Sequence, residues 1–180
     1  REAKRVLVDE SGWKVEFMTV TSNDSDARLH HQYLAYLTYK FLDDPHRYER
    51  FWQPAIVFYN NIWRLPAPTR VVNTLGSLSQ IAVLARKDKL ISFSNYSLSF
   101  KLLIEVGYWD TDVIPEDYRI FFKAFFKKEG RVEVEPIFLP STADAAESTT
   151  VWGTLMNDYR QKKRWAWGVS DIPIFVDMYL

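Results

Sequence analysis

The chain has 180 residues, enough for one domain with a real buried core, and its 47% hydrophobic and 16% aromatic content excludes a disordered chain. Twenty-three basic residues against 23 acidic ones leave no net field to draw nucleic acid or an anionic membrane, and zero cysteines exclude disulfides, zinc thiolates and cysteine nucleophiles. No run approaches the roughly 20 apolar residues of a membrane-spanning helix and no signal-peptide pattern is present, so the chain as given reads as soluble.

Arg1 to Glu10 has the charge and apolar spacing of a helix, with Val6 and Leu7 inward and Ser11-Gly12 as its stop. A strand follows, with Phe17, Met18 and Val20 buried and Thr19 and Thr21 fitting β-propensity; Asn23-Asp24-Ser25 ends it with turn-forming side chains. Helix then strand is half of an α/β unit. Leu29, Tyr33, Tyr36, Leu37 and Phe41 recur at helical spacing up to Asp43-Asp44-Pro45. Phe51 to Tyr59 reads as a strand, and Pro54 suits a strand start or a sheet edge. Pro66 to Arg86 reads as a long amphipathic helix that Gly76 weakens.

Ile91 to Asn95 is predicted as a short strand, after which Ser97 or Ser99 caps a helix carrying Leu102, Leu103 and Val106 and stopping at Gly107. Pro115-Glu116-Asp117 opens a helix with Phe121, Phe122, Phe125 and Phe126 on it and Gly130 beyond its end. Arg131 to Glu135 alternates like a strand, Ser141 to Thr150 is a polar loop, and Leu155 to Trp167 is a last helix stopping at Gly168. The chain opens at Arg1 without an initiator Met and stops inside the apolar run Met178-Tyr179-Leu180, so it reads as a piece of something longer.

Three clusters carry chemistry. Asp24 and Asp26 stand at the end of a strand, where open α/β sheets bind ligands, and an Asp-x-Asp turn lets two carboxylates reach one hard divalent cation. Such acids are also ordinary turn residues. Glu116-Asp117 puts a carboxylate at the start of a Phe-rich helix, where partial desolvation tunes it towards base strength; decoration of the helix dipole is the plainer reading. Gln161, Arg164 and Trp165 share one helix face and offer an amide, a bidentate guanidinium and an indole face for a sugar ring. The plainer reading there is a basic helix with Trp165 in the core. His30, His31 and His46 lack a ligand-like grouping.

In this order, from Asp24 to Gly168, the clusters resemble the processive-type membrane glycosyltransferases of family 2, which include cellulose, chitin and hyaluronan synthases. The resemblance implies an α/β fold: a GT-A-like (Rossmann-like) mixed sheet flanked by helices, whose first nucleotide-binding units are expected before Arg1 and whose membrane helices are expected after Trp167. Ile172-Pro173-Ile174-Phe175-Val176 would be the approach to one of them. By the same resemblance Asp24-Ser25-Asp26 is the DxD motif holding a divalent cation, Mg²⁺ or Mn²⁺. Glu116 and Asp117 match the acids of a Thr-Glu-Asp motif that supplies the catalytic base, with Pro115 replacing Thr. Gln161, Arg164 and Trp165 match QxxRW, the first two for the donor diphosphate and Trp165 for the acceptor, and Ser94-Asn95-Tyr96 stands where the family has an acceptor-contacting loop.

The implied partners are a nucleotide-sugar donor, most simply a UDP-sugar, and a growing glycan acceptor, with no nucleic acid. The whole protein would sit in a membrane through segments outside this piece, with its catalytic domain on the cytoplasmic side, and the isolated piece is expected to be inactive. Two other readings stand beside this one. A non-catalytic carbohydrate-binding or scaffold module would use the seven Trp and ten Tyr as stacking platforms; a metal-dependent nuclease or phosphatase would use the acids but not the QxxRW helix. Convergence of Asp24, Asp26, Asp117 and Arg164 on one cleft separates them.

Overall fold

The computed structural model of the chain describes residues 1–87, 90–110, 116–167 and 173. In chain order the main elements are α1 (Glu2–Lys4), continued by a π-helical turn over Arg5–Glu10, β1 (Thr19–Ser22), β2 (Arg28–Leu29), α2 (Tyr33–Asp43), β3 (Arg50–Phe58) and α3 (Ala67–Leu84). There follow β4 (Tyr96–Ser99), α4 (Phe100–Glu105), α5 (Glu116–Lys127), β5 (Glu133–Ala143) and α6 (Val151–Trp167). The described strands form one five-stranded mixed sheet in the order β1-β4-β3-β5-β2. β3 runs parallel to β5 and antiparallel to β4, which is itself antiparallel to β1. The carboxyl ends of β1, β3 and β5 therefore share one rim of the sheet, and that rim carries the site.

Side chains alternate across a strand, and β3 uses both faces. Phe51, opposite Val134 and Leu98, faces a cluster with Tyr96, Leu102, Leu103, Ile120, Phe121 and Leu84, so α4, α5 and the end of α3 cover that face. Trp52 turns the other way, with Ile137, onto Tyr33, Leu37 and Phe41 of α2. These last three repeat every four residues, so one stripe of α2 is buried. Each such buried side chain contributes about 1.5–3 kcal/mol. The result is a mixed α/β fold with helices on both faces of the sheet, as a GT-A-like domain requires.

Several local expectations are corrected. Val6 is exposed, and Val8 packs against the core instead. Phe17 lies in a 3₁₀ turn (Val15–Phe17) and is 64% exposed, while Met18 and Val20 are half-buried, because β1 is an edge strand paired on one side only. Leu29 belongs to β2, and its helix starts at Tyr33. Residues 91–95 form a loop and the strand is Tyr96–Ser99; Ser94 has φ +54, which ends extended pairing there. Ser99 caps α4 by accepting from Leu102 N–H at 3.0 Å, leaving Ser97 to bond Thr21 and Tyr33.

Pro54 sits inside the central strand, not at a start or an edge, and a register shift between Pro54 and Ala55 absorbs its missing N–H. β5 runs on through Pro136 and Pro140 to Ala143, well past Glu135 and into the expected loop. On α5 the buried residues are Ile120, Phe121 and Ala124, with Phe122 and Phe125 packed beside the core, and Gly107 (φ +82) and Gly130 (φ +81) supply the left-handed stops after α4 and α5. α3 buries Thr69, Asn73, Ser77 and, at its end, Leu84, and exposes Val71, Leu75 and Leu78. Asn73 and Ser77 are inward because they bond Asp158 of α6 and the Phe58 N–H. Among the described residues no helix is long and apolar enough to cross a membrane. Pro115, Gly168, Ile172 and the apolar run 174–176 lie outside the described residues.

Candidate active site

β1 ends at Ser22, and the Asn23 side chain shapes the turn beyond it by donating to the carbonyls of Asp24 at 2.9 Å and Ala27 at 3.2 Å. An Asx side chain that bonds the backbone just ahead of it is a turn device, and here it lifts Asp24 and Asp26 over the carboxyl rim. The turn is tied down at two points. Asp24 N–H donates to Asn95 Oδ1 at 2.8 Å, and Asn60, just past β3, donates to the Asp26 carbonyl at 3.2 Å. The Asp24 carboxylate accepts from the Ser94 hydroxyl, whereas Asp26 faces solvent.

Asp117 arrives from the opposite direction, on the first turn of α5 beside the exposed Glu116. Its Oδ2 accepts from the Ser94 N–H at 2.9 Å. Ser94 therefore bridges the two acids, hydroxyl to Asp24 and amide to Asp117. The Tyr96 hydroxyl lies beside the Asp117 carboxylate as a donor that favours its charged form, and that phenol oxygen is held from behind by Trp109 Nε1 at 2.7 Å.

Burial pushes the Asp117 carboxyl up to about 6; repulsion from Glu116 and, more weakly, Asp24 adds to the rise, and the bonds from Ser94 and Tyr96 oppose it. Tyr96 is shifted upward as well, first by burial and then by the Asp117 charge, so it stays a neutral donor. A carboxylate with this proton affinity is a better base than an ordinary Asp and is still ionised at neutral pH.

Asn95 is buried, and its groups are used inside the protein: Oδ1 holds the Asp24 turn, Nδ2 donates to Ser141 Oγ at 3.0 Å, and its carbonyl accepts from Gln53. Ser94, beside it, is the more open of the two.

The third cluster rides on α6. That helix is keyed to α3 by Asp158, which is buried, accepts from Asn73 Nδ2 at 3.3 Å and pairs with Lys162. Four residues after Gln161 the Trp165 ring stacks over Phe58, the last residue of β3, with centroids 6.4 Å apart and planes 21° from parallel. Trp165 is half exposed rather than a core residue. Gln161 is half-buried and Arg164 exposed, and among the described residues neither bonds Asp24, Asp26 or Asp117. The tail of α6 thus covers the rim at β3, and the acids stand just past the end of β1 and at the start of α5.

Gln53 and Trp109 are neighbours of the candidate site that local sequence patterns miss. One amide inside the apolar run Phe51-Trp52-Gln53-Pro54-Ala55-Ile56 is the available signal for Gln53; nothing local marks Trp109. Among the described residues no three His, Cys, Asp or Glu side chains gather as a metal cage.

The family model described as "Glycosyl transferase family group 2" matches residues 19–179. No curated protein and no solved structure gives a match. The matched span begins with β1 and takes in the paired acids, the loop that joins them and the α6 helix, so the chain belongs to glycosyl transferase family group 2 and carries a glycosyltransferase domain.

Proposed function

We propose that this domain transfers a sugar from a nucleotide-sugar, a UDP-sugar in the simplest case, to a growing polysaccharide or glycan in one inverting displacement, within the processive membrane subgroup of the family. The observation that carries the reading is the Asp24–Ser94–Asp117 bridge, with its carboxyl raised to about 6. Asp117 takes the proton from an acceptor hydroxyl as that oxygen attacks the anomeric carbon. The bond from that carbon to the diphosphate breaks, and its electron pair leaves on the nucleoside diphosphate. Glu116 assists by keeping the Asp117 proton affinity high.

Gln161 and Arg164 would hold the diphosphate oxygens, Arg164 bidentately. Trp165, with one face on Phe58, would offer the other to the acceptor sugar, and Ser94 would contact the acceptor from its loop. The donor set fits Mg²⁺ or Mn²⁺, since two carboxylates in one turn, with substrate phosphates and water completing the shell, is how such ions are commonly bound. Asp24 and Asp26 would hold the ion, and when bound it neutralises charge on the leaving diphosphate. A passive carbohydrate-binding module has no use for a buried carboxyl whose raised proton affinity costs stability at neutral pH.

The test is transfer from UDP-sugars by the complete protein with and without Asp117→Asn. Loss of transfer with donor binding intact is expected; undiminished transfer overturns the assignment.

A further inference from the structure

We propose that Gln53 is a positioning residue for the transfer centre, holding Ser94 in the left-handed conformation from which its N–H reaches Asp117 and its hydroxyl reaches Asp24. The inference rests on the proposed role of Asp117 and extends it to a buried residue that touches neither substrate.

Gln53 lies in β3 with no exposed surface. An unbonded amide there would be costly, and all of its polar atoms are bonded. Oε1 accepts from the Phe93 N–H at 3.1 Å, and Nε2 donates to the Asn95 carbonyl at 2.8 Å and to the Pro54 carbonyl at 3.3 Å. Phe93 and Asn95 are the two neighbours of Ser94, so one side chain grips the loop on either side of it.

What it grips is strained. Ser94 has φ +54, a region that glycine enters freely and residues with a Cβ enter at a cost. Such conformations persist where the surroundings over-determine them. The surroundings here are Gln53 from the sheet and the Asn95 side chain, which is anchored on Ser141 and on Asp24 N–H. If the grip is released, Ser94 relaxes towards negative φ, and its N–H and hydroxyl turn away from the two acids together. Asp117 then loses a hydrogen bond to its charged form, and the Asp24 side chain loses its tether.

The test uses glycine as the probe of strain. In the complete protein, kcat is measured for Gln53→Met with the native Ser94, with Ser94→Ala and with Ser94→Gly. Alanine removes the hydroxyl but keeps the strain, whereas glycine removes both and holds a positive φ unaided. The expected result is a loss of roughly tenfold in kcat from Gln53→Met in the native and Ser94→Ala backgrounds, and a loss under about threefold in the Ser94→Gly background. Equal losses in all three backgrounds, as a purely fold-stabilising glutamine would give, overturn the proposal.

Should Gln53→Met fail to fold, Gln53→Asn, whose amide is one methylene too short to reach both Phe93 N–H and the Asn95 carbonyl, is measured in the same three backgrounds, and the same background dependence is expected of it. The two readings fail separately. Normal turnover in Asp117→Asn removes the base, whereas uniform Gln53 losses in an enzyme that still depends on Asp117 remove only the grip.

Discussion

Ser94 N–H donates to Asp117 Oδ2 at 2.9 Å from a backbone with φ +54, so a strained residue in a loop supports the most perturbed carboxylate of the site. The bond stabilises the ionised form, while burial and two neighbouring acids work against it. This balance leaves the carboxylate ionised at neutral pH yet basic enough to take a proton, and each part of it can be tested.

Asp117→Asn keeps the shape and removes the proposed base. Turnover is expected to fall by about 10²–10⁴-fold, the usual worth of a positioned general base, with nucleotide binding preserved. Steady-state kinetics beside nucleotide titration checks it, and turnover near that of the unmodified enzyme would remove Asp117 from the role.

The pH dependence has a definite sign. A base at Asp117 works only when ionised, so under the proposed role kcat should rise with pH through about 6. Glu116→Gln removes a repulsion that raises Asp117 and should move this limb to lower pH, whereas Tyr96→Phe removes a bond that lowers it and should move the limb up. A pH–rate profile unmoved by both substitutions contradicts the assignment of the limb to Asp117.

Stability follows the opposite course. The folded Asp117 carboxyl, at about 6, binds its proton more tightly than the ordinary value of 3.8, so between these values the folded state holds more protons and stability falls as pH rises. Asp117→Asn should therefore melt higher than the unmodified protein at pH 7, by roughly 5 °C once partial solvent contact is discounted, with the gap closing near pH 4. Melting curves at the two pH values decide it; an equal gap at both means that the charge is not the cause.

Asp26→Ala leaves one carboxylate in the turn. Mn²⁺ titration with nucleoside diphosphate present is expected to show strong binding for the unmodified protein and at least about tenfold weaker binding for the variant. Equal affinities would place the ion elsewhere.

Trp165→Ala should raise the acceptor KM about three- to tenfold, the worth of one stacking contact, and leave the donor KM and the melting temperature nearly unchanged because the ring is half exposed. A change in the donor KM alone would move Trp165 to the nucleotide side.

Much of this is legible in the chain itself. Tyr33, Leu37 and Phe41 at four-residue spacing announce α2, and the serines before Leu102 announce a cap for α4, with the choice of Ser99 over Ser97 made by the structure. The failures have one kind of cause. Pro54 suits a strand start or an edge, yet a register shift in the β3–β5 pair accommodates it inside the central strand, and β5 continues past the predicted 131–135 through Pro136. The helix predicted over 66–86 is present as α3, but which of its faces turns inward is decided by the hydrogen bonds of Asn73 to Asp158 and of Ser77 to the Phe58 N–H.

What the amino-acid order determined alone is local: the types of most elements, the turn residues that carry Asp24 and Asp26, the helix start that carries Glu116 and Asp117, and the spacing that puts Gln161, Arg164 and Trp165 on one face. These are readable because periodicity and capping act between residues a few positions apart. Only the tertiary structure decided that Ser94 would join Asp24 to Asp117, that Gln53 would grip the loop around it, and that Trp165 would lie on Phe58. It also set the proton affinity of Asp117. Sheet order and desolvation arise from contacts between segments distant in the chain, and no local pattern encodes which of those segments will meet.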